Sequence, residues 1–236
     1  MLVCRLTAVI LCASVLATAT PSEAQGSTTR GYAPTVLPST IPIFPLQDIM
    51  LFPRATRPLH IFEQRYRDMV ADVLEEDRRF GLIYHDWDEH GPFLADTGRV
   101  GCVAEIRQHE ELEDGRYLLM VSGVERFVID EGLEQQSLYF EGIVTSYSDD
   151  SAMTGEEMEF RRRESIRLFE DLIDLLPERP EGLRELDAGQ EVSFPLAHTI
   201  QMDRPWHQRL LELRDEGSRL ERIDQVVRAV MRRGIG

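Results

Sequence analysis

The sequence predicts an α+β protein in which a β-rich half, 41–150, precedes a helical half, 151–236. Near Asp150 the hydrophobic period changes from 2 to 3.6. Before that point, prolines and glycines cut the chain into short apolar runs. After it, helix caps open long periodic stripes.

In order, Ile41–Phe44, Ile49–Phe52 and Pro58–Ile61 read as short or edge strands, each bounded by Pro. A helix follows, because Ile61, Phe62, Tyr66, Met69, Val70, Val73 and Leu74 recur on one face. Ile61, Phe62 and Tyr66 are expected in the core beneath it. Phe80–Tyr84 is a strand and 85–98 a polar loop. Arg99–Gln108 and Arg116–Val121 are strands joined at Glu113-Asp114-Gly115, a hairpin signal. Val124–Asp130 and Tyr139–Tyr147 complete the set, with Gly123 and Gly132 as turn or bulge points. In the second half, Thr154-Gly155-Glu156-Glu157 is a capping box for a helix that Pro177 ends. A short helix spans Val192 to Ile200, Asp203 caps a third, and Ser218-Arg219-Leu220-Glu221 is expected to cap the last. Arg161-Arg162-Arg163, bracketed by Glu residues, reads as a solvated helix face rather than a nucleic-acid patch.

Composition narrows the chemistry. With 42% hydrophobic and 29% charged residues in 236, the chain is built like an ordinary globular protein. The formal net charge of −16 argues against nucleic acid and against an anionic membrane surface, since both favour clustered positive charge. All 26 basic residues are Arg. Without Lys there is no G-x-x-x-x-G-K-[ST] phosphate loop, no Schiff base and no Ser-Lys dyad. Neither G-x-G-x-x-G nor G-x-S-x-G occurs. No nucleotide or other cofactor is expected. Cys4 and Cys12 lie in the first dozen residues, and Cys102, in an apolar run, is expected to be a small buried residue.

Residues 1–24 read as an export signal. Arg5 supplies the positive start, Leu6 to Ala19 the apolar stretch, and Ser22-Glu23-Ala24 a cleavage site, with Ala17-Thr18-Ala19 as a second. The stretch falls short of the about 20 apolar residues that a membrane span requires. A periplasmic or secreted protein is expected, the alternative being a cytoplasmic one with a mis-called start codon. Residues 25–40 read as a flexible linker.

A longer pattern runs through Ile41-Pro42-Ile43-Phe44-Pro45-Leu46, Phe52-Pro53, Pro58-Leu59-His60-Ile61-Phe62-Glu63, Arg65-Tyr66 and Phe80-Gly81. It continues in Val100-Gly101-Cys102-Val103-Ala104-Glu105-Ile106, Asp114-Gly115-Arg116 and Gly123-Val124-Glu125-Arg126-Phe127. This resembles the N-terminal substrate-binding domain of Lon-type ATP-dependent proteases, in particular its free-standing bacterial versions. His207-Gln208-Arg209-Leu210-Leu211-Glu212 is similar to the family's trailing helices. The resemblance implies a curved, PUA-like β-barrel subdomain followed by an α-helical bundle. In full Lon proteases this region holds substrates while a separate ATPase and a Ser-Lys peptidase act on them. Since this sequence ends at Gly236 and has no Lys, a non-enzymatic module is expected, with no catalytic residues. An adaptor or holdase in protein quality control would fit. Its partners would be unfolded or exposed polypeptide segments, or a protease or chaperone.

Contact with clients is expected through apolar surface and exposed strand edges. Trp87 and Phe93, large aromatics in a polar loop, are the first candidates, the alternative being that they fold back on the barrel; Phe52 and His60, on the barrel edge 52–62, are the second, with the helical bundle as the other surface. Two alternatives belong to other classes. His85-Asp86-Trp87-Asp88-Glu89-His90 has N and O donors for a metal-dependent enzyme, although such hexads are mostly solvated loop and no metal is expected. A scaffold docking one fixed protein partner is the other.

Overall fold

The computed structural model describes residues 40–133, 138–151, 153–179, 183 and 185–233. The expected export signal and all but the last residue of the expected linker lie outside the described residues.

The strands are β1 (Thr40–Leu46), β2 (Thr56–Ile61), β3 (Arg79–Tyr84), β4 (Val100–Glu111), β5 (Tyr117–Gly132) and β6 (Phe140–Ser146). Helix α1 (Gln64–Glu75) and the single-turn α2 (Trp87–His90) interrupt them. Helices α3 (Gly155–Asp174), α4 (Ser193–Thr199), α5 (Arg204–Glu212) and α6 (Glu216–Arg233) make the second half. The sheet order is β2-β5-β4-β3-β1-β6, and β5 also pairs with β6, so the sheet closes into a barrel with β2 as an added edge strand. β1 and β3 run parallel, and the stretch holding β2 and α1 makes the crossover such a pair requires.

Closure depends on the length of β5. Its first part, Tyr117–Ser122, pairs with β2, and its last part, Phe127–Gly132, with β6. The two strands expected on either side of Gly123 are therefore one, bent at that glycine. There the segment expected as a strand at Ile49–Phe52 is irregular instead. It buries Met50, Leu51 and Phe52 and clamps β5, with Arg54 N donating to Gly123 O and Gly123 N to Ala55 O, each at 2.8 Å. A Cβ on Gly123 would sit 2.1 Å from Phe52 O, so only glycine admits this approach.

Ile41, Ile43, Ile83, Phe93, Val103, Val124, Phe127, Ile129 and Val144 form one buried cluster, contributed mainly by the barrel strands. A larger core joins the sheet and α1 to the bundle through Phe52, Tyr66, Met69, Phe80, Phe194, Leu196, Leu210 and Leu220. With apolar neighbours on both sides, β4 is buried continuously from Val100 to Ala104 instead of alternating. Cys102 is buried as expected, and burial pushes its thiol pKa up, away from the reactive thiolate.

Charge as well as apolar surface locks the halves together. Arg219 of α6 is 0% exposed and donates to both oxygens of Asp149 at 2.6 and 2.7 Å, to Leu213 O and to Ser193 Oγ. Arg126 of β5 reaches the same carboxylate and donates to Leu211 O and Leu213 O at 2.7 Å. The expected solvated arginine run is corrected here. Arg162 turns inward to Glu216 at 2.6 Å and Arg161 to Asp224 at 2.9 Å, leaving only Arg163 on the exposed face, with Glu159. The Thr154 box caps α3 as expected. The Ser218 box does not open α6: Ser218 N donates to Asp215 Oδ2 at 2.7 Å, and the helix begins at Glu216.

Gly123→Ala should lower the unfolding free energy by about 1–3 kcal/mol through overpacking. Gly155→Ala, whose Cβ meets nothing within 4 Å, should raise it by about 0.5 kcal/mol. Asp149→Asn keeps the shape but leaves two buried guanidinium groups without their shared carboxylate, and should cost about 3–5 kcal/mol. Urea denaturation of the three variants beside the parent checks all three signs.

Candidate functional site

Strand parity builds a patch on the outside of the barrel. In β2, Leu59 and Ile61 are buried while Pro58 and His60 are exposed. The same alternation carries the next even residue, Phe62, outward, where it is 61% exposed and its ring lies 5.9 Å from the His60 ring. The ladder places His60 beside Leu118 of β5, itself 42% exposed, and Leu118 beside Glu110 of β4. Pro58 lies beside Met120 and then Gln108 in the adjacent row. Cross-strand neighbours share a face, so Pro58, His60, Leu118 and Met120 form one surface, which Phe62 extends. Arg116 Nη1 lies 3.3 Å from His60 Nε2 and donates to it, while its Nε donates to Asp114 Oδ2 at 2.7 Å. Around this surface Glu63, Glu110 and Glu113 are exposed and form no ion pair among the described residues.

Sequence reasoning assigned Phe62 to the core with Ile61, and the structure corrects this. The helical period begins only at Gln64, and Phe62 still follows the strand, where a period of 2 governs. The usable signal was Leu59 and Ile61 inward, hence His60 and Phe62 outward. Tyr66 is buried as expected, its hydroxyl pKa pushed up to about 12 chiefly by burial.

The other candidates do not join this patch. Phe52 is 1% exposed and stacked on Phe194 at 5.6 Å, so it holds the bundle to the barrel. Phe93 is 3% exposed, edge-on to Phe140 at 4.8 Å, with the Arg99 guanidinium 4.8 Å over its ring. As a client contact Phe93 is ruled out, and the alternative of folding back on the barrel holds: the ring joins the barrel cluster. Trp87 remains 39% exposed, edge-on to His85 at 4.5 Å. It lies near the Val100 end of β4, roughly 30 Å of strand from the Glu110 row.

The hexad 85–90 is more structural than its composition suggests. His85 is 2% exposed, not a surface residue. Its Nε2 lies 2.8 Å from Gly91 O, which only accepts, so Nε2 carries the proton and Nδ1 receives the Arg99 guanidinium at 3.3 Å. Asp86 Oδ1 caps α2, accepting from Asp88 N and Glu89 N. Among the described residues no group of three or more His, Cys, Asp or Glu is placed to hold a metal ion.

The model of the ATP-dependent protease La (LON) substrate-binding domain matches residues 40–228. The chain belongs to that family. It is 29% identical over 186 residues to a Lon protease of Xanthomonas oryzae pv. oryzae, an alignment covering 77% of this chain and 22% of that protein. A Lon protease of Vibrio parahaemolyticus is 31% identical over 193 residues, covering 77% of this chain and 23% of that protein. The chain thus spans about a fifth of the length of the curated relatives it matches. Two solved structures share the fold of this LON family member. A Lon N-terminal domain protein from Xanthomonas campestris has a TM-score of 0.55 at 24% identity, covering 78% of this chain and 96% of its own. The N-terminal domain of a Mycobacterium avium complex Lon protease has a TM-score of 0.58 at 15% identity, covering 80% and 98%.

The two loop aromatics should separate cleanly in a stability assay. Phe93→Ala should destabilise by about 3–5 kcal/mol, the range for truncating a buried Phe. Trp87→Ala should cost about 1 kcal/mol, because much of its ring already meets water. Equal costs would contradict this division.

Proposed function

We propose that this chain binds polypeptide segments through the outer patch of Phe62, His60 and Leu118 and has no catalytic chemistry of its own. The observation that carries this reading is an exposed apolar patch on a chain whose residues 40–228 match a substrate-binding family. Large exposed aromatics such as Phe62 supply much of the energy at a binding face. Unpaired carboxylates around it attract basic clients at long range, which raises encounter rate more than final affinity. An adaptor or holdase in protein quality control follows as the role, with unfolded segments, or a protease or chaperone carrying them, as partners. We place it in the periplasm or outside the cell on the strength of residues 1–24; a mature N-terminus at Gln25 or Thr20 would support this, and an intact Met1 would reverse it.

The test compares native ribonuclease A, a basic protein, with its reduced, carboxamidomethylated, unfolded form in a fluorescence anisotropy titration. The unfolded form alone should bind, and Phe62→Ala should weaken it about ten-fold, equivalent to about 1.4 kcal/mol. Raising salt should slow association with little change in dissociation. Equal binding of the native form, or an unchanged Phe62→Ala, overturns the reading. One stable partner in a pull-down without any unfolded client would favour a scaffold instead.

A further inference from the structure

Among the described residues β2 is the terminal strand of the sheet order, bonded to β5 on one side only. Which of its backbone groups face the free side follows from a single hydrogen bond. Gly123 N donates to Ala55 O at 2.8 Å, so Ala55 turns its carbonyl toward β5. Along an antiparallel strand this direction alternates, so Arg57, Leu59 and Ile61 face β5 while Thr56, Pro58 and His60 face away. Proline confirms the phase. Pro58 has no N–H to give, and in the outward set its absence breaks no bond of the β2–β5 ladder.

The free side therefore offers two donors, the N–H groups of Thr56 and His60, and three acceptors, the carbonyls of Thr56, Pro58 and His60. Among the described residues no hydrogen bond reaches any of the five, and all three residues are exposed. A row of unpaired groups in water is a template for a further strand. The side chains alongside define what would add to it. Pro58, His60, Phe62 and Leu118 make an apolar face, with the exposed carboxylates of Glu63, Glu110 and Glu113 around it. The guanidinium beside His60, Arg116, is already paired with Asp114.

We infer that the outer edge of β2 takes up an extended polypeptide segment as an additional antiparallel or parallel strand, and that the segment preferred alternates apolar with Arg or Lys residues. This rests on the polypeptide-binding reading above and adds its mode and its client chemistry. It also accounts for preference by conformation. In a folded protein most backbone donors and acceptors are already paired, so only an unfolded or extended segment has a free row to offer. Alternate client side chains then lie on the Phe62 face, and the basic ones between them are drawn in at long range by the carboxylates around the edge.

The test uses a fluorescein-labelled ten-residue peptide of alternating Val and Arg, and two versions of it N-methylated at every second residue in opposite phases. Methylation removes the N–H groups of one edge and leaves the side chains in place. One phase should weaken binding about ten-fold or more and the other less than two-fold. On the protein side, His60→Pro removes an outward donor while His60→Ala keeps it. His60→Pro should weaken binding about ten-fold and His60→Ala less than three-fold. Thr56→Pro provides the same comparison at the other donor, and the methylated peptides need no variant at all. If neither phase of methylation matters while Phe62→Ala still weakens the peptide, strand addition is overturned and side-chain capture stands. If the parent binds neither the peptide nor unfolded ribonuclease A, both readings fall together.

Discussion

Asp149 lies in the short stretch between β6 and α3, and two arginines converge on its carboxylate from opposite halves of the molecule. One is Arg126 of the barrel, the other Arg219 of the bundle. Both guanidinium groups are out of water, and a buried cation without a partner costs several kcal/mol. Their remaining donors go to Leu211 O, Leu213 O and Ser193 Oγ, fixing the end of α5 and the start of α4 in the same act. Apolar contact alone would let the bundle slide over the barrel at little cost. A charge network with fixed donor directions makes other placements expensive. Glu216 extends it by joining Arg162 of α3 to Val192 N, and burial beside these groups pushes the Glu191 pKa up.

That placement decides which barrel surface stays open. The bundle reaches β4 at its beginning, where Gln208 donates to Val100 O, and Arg54 holds the 190–191 segment through Gln190 Oε1 and Glu191 O. β4 is buried where the bundle and the barrel interior meet it, then exposed from Arg107 to Glu111. The outer face of the β2–β5–β4 hairpin region is thus left in water because the charges draw the helices to the opposite end of β4.

How much of this could be read from the residues depends on how local the deciding interaction is. The strand-to-helix change at Asp150, the Thr154 box and the Asp203 cap are local, and each lies where the sequence puts it. Ser218 failed because Asp215, three residues earlier, competes for the same helix start with a charged acceptor. Arg161 and Arg162 look solvated until Glu216 and Asp224 are brought over from a helix more than fifty residues away. Ile49–Phe52 has a strand's composition, but the clamp on Gly123 overrides it. Phe93 is apolar in a polar loop, a pattern that leaves both an outward contact and a fold-back onto the barrel open. What buries it is a barrel cluster that needs a ring from outside the strands, which no window of sequence contains. Of the four candidate contact residues, His60 lies in the patch and Trp87 is exposed elsewhere. Phe62, the patch's largest side chain, was legible from strand parity alone.

A free strand edge on a protein is normally a hazard, since a second copy can add to it as readily as a client. Two features of β2 discriminate. Pro58 sets a position with no donor in the centre of the outward row, so a β2-to-β2 pairing centred there would lack bonds on both sides. The second feature is charge. Two copies approaching at this edge bring together Glu63, Glu110 and their neighbours from each, on chains that carry a formal net charge of −16. Like charges at close range oppose that encounter, while a client bearing Arg or Lys is drawn in. The acidity that argued against nucleic acid at the outset thus has a second consequence here. It keeps an exposed edge from pairing with itself and leaves it open to segments of the opposite charge.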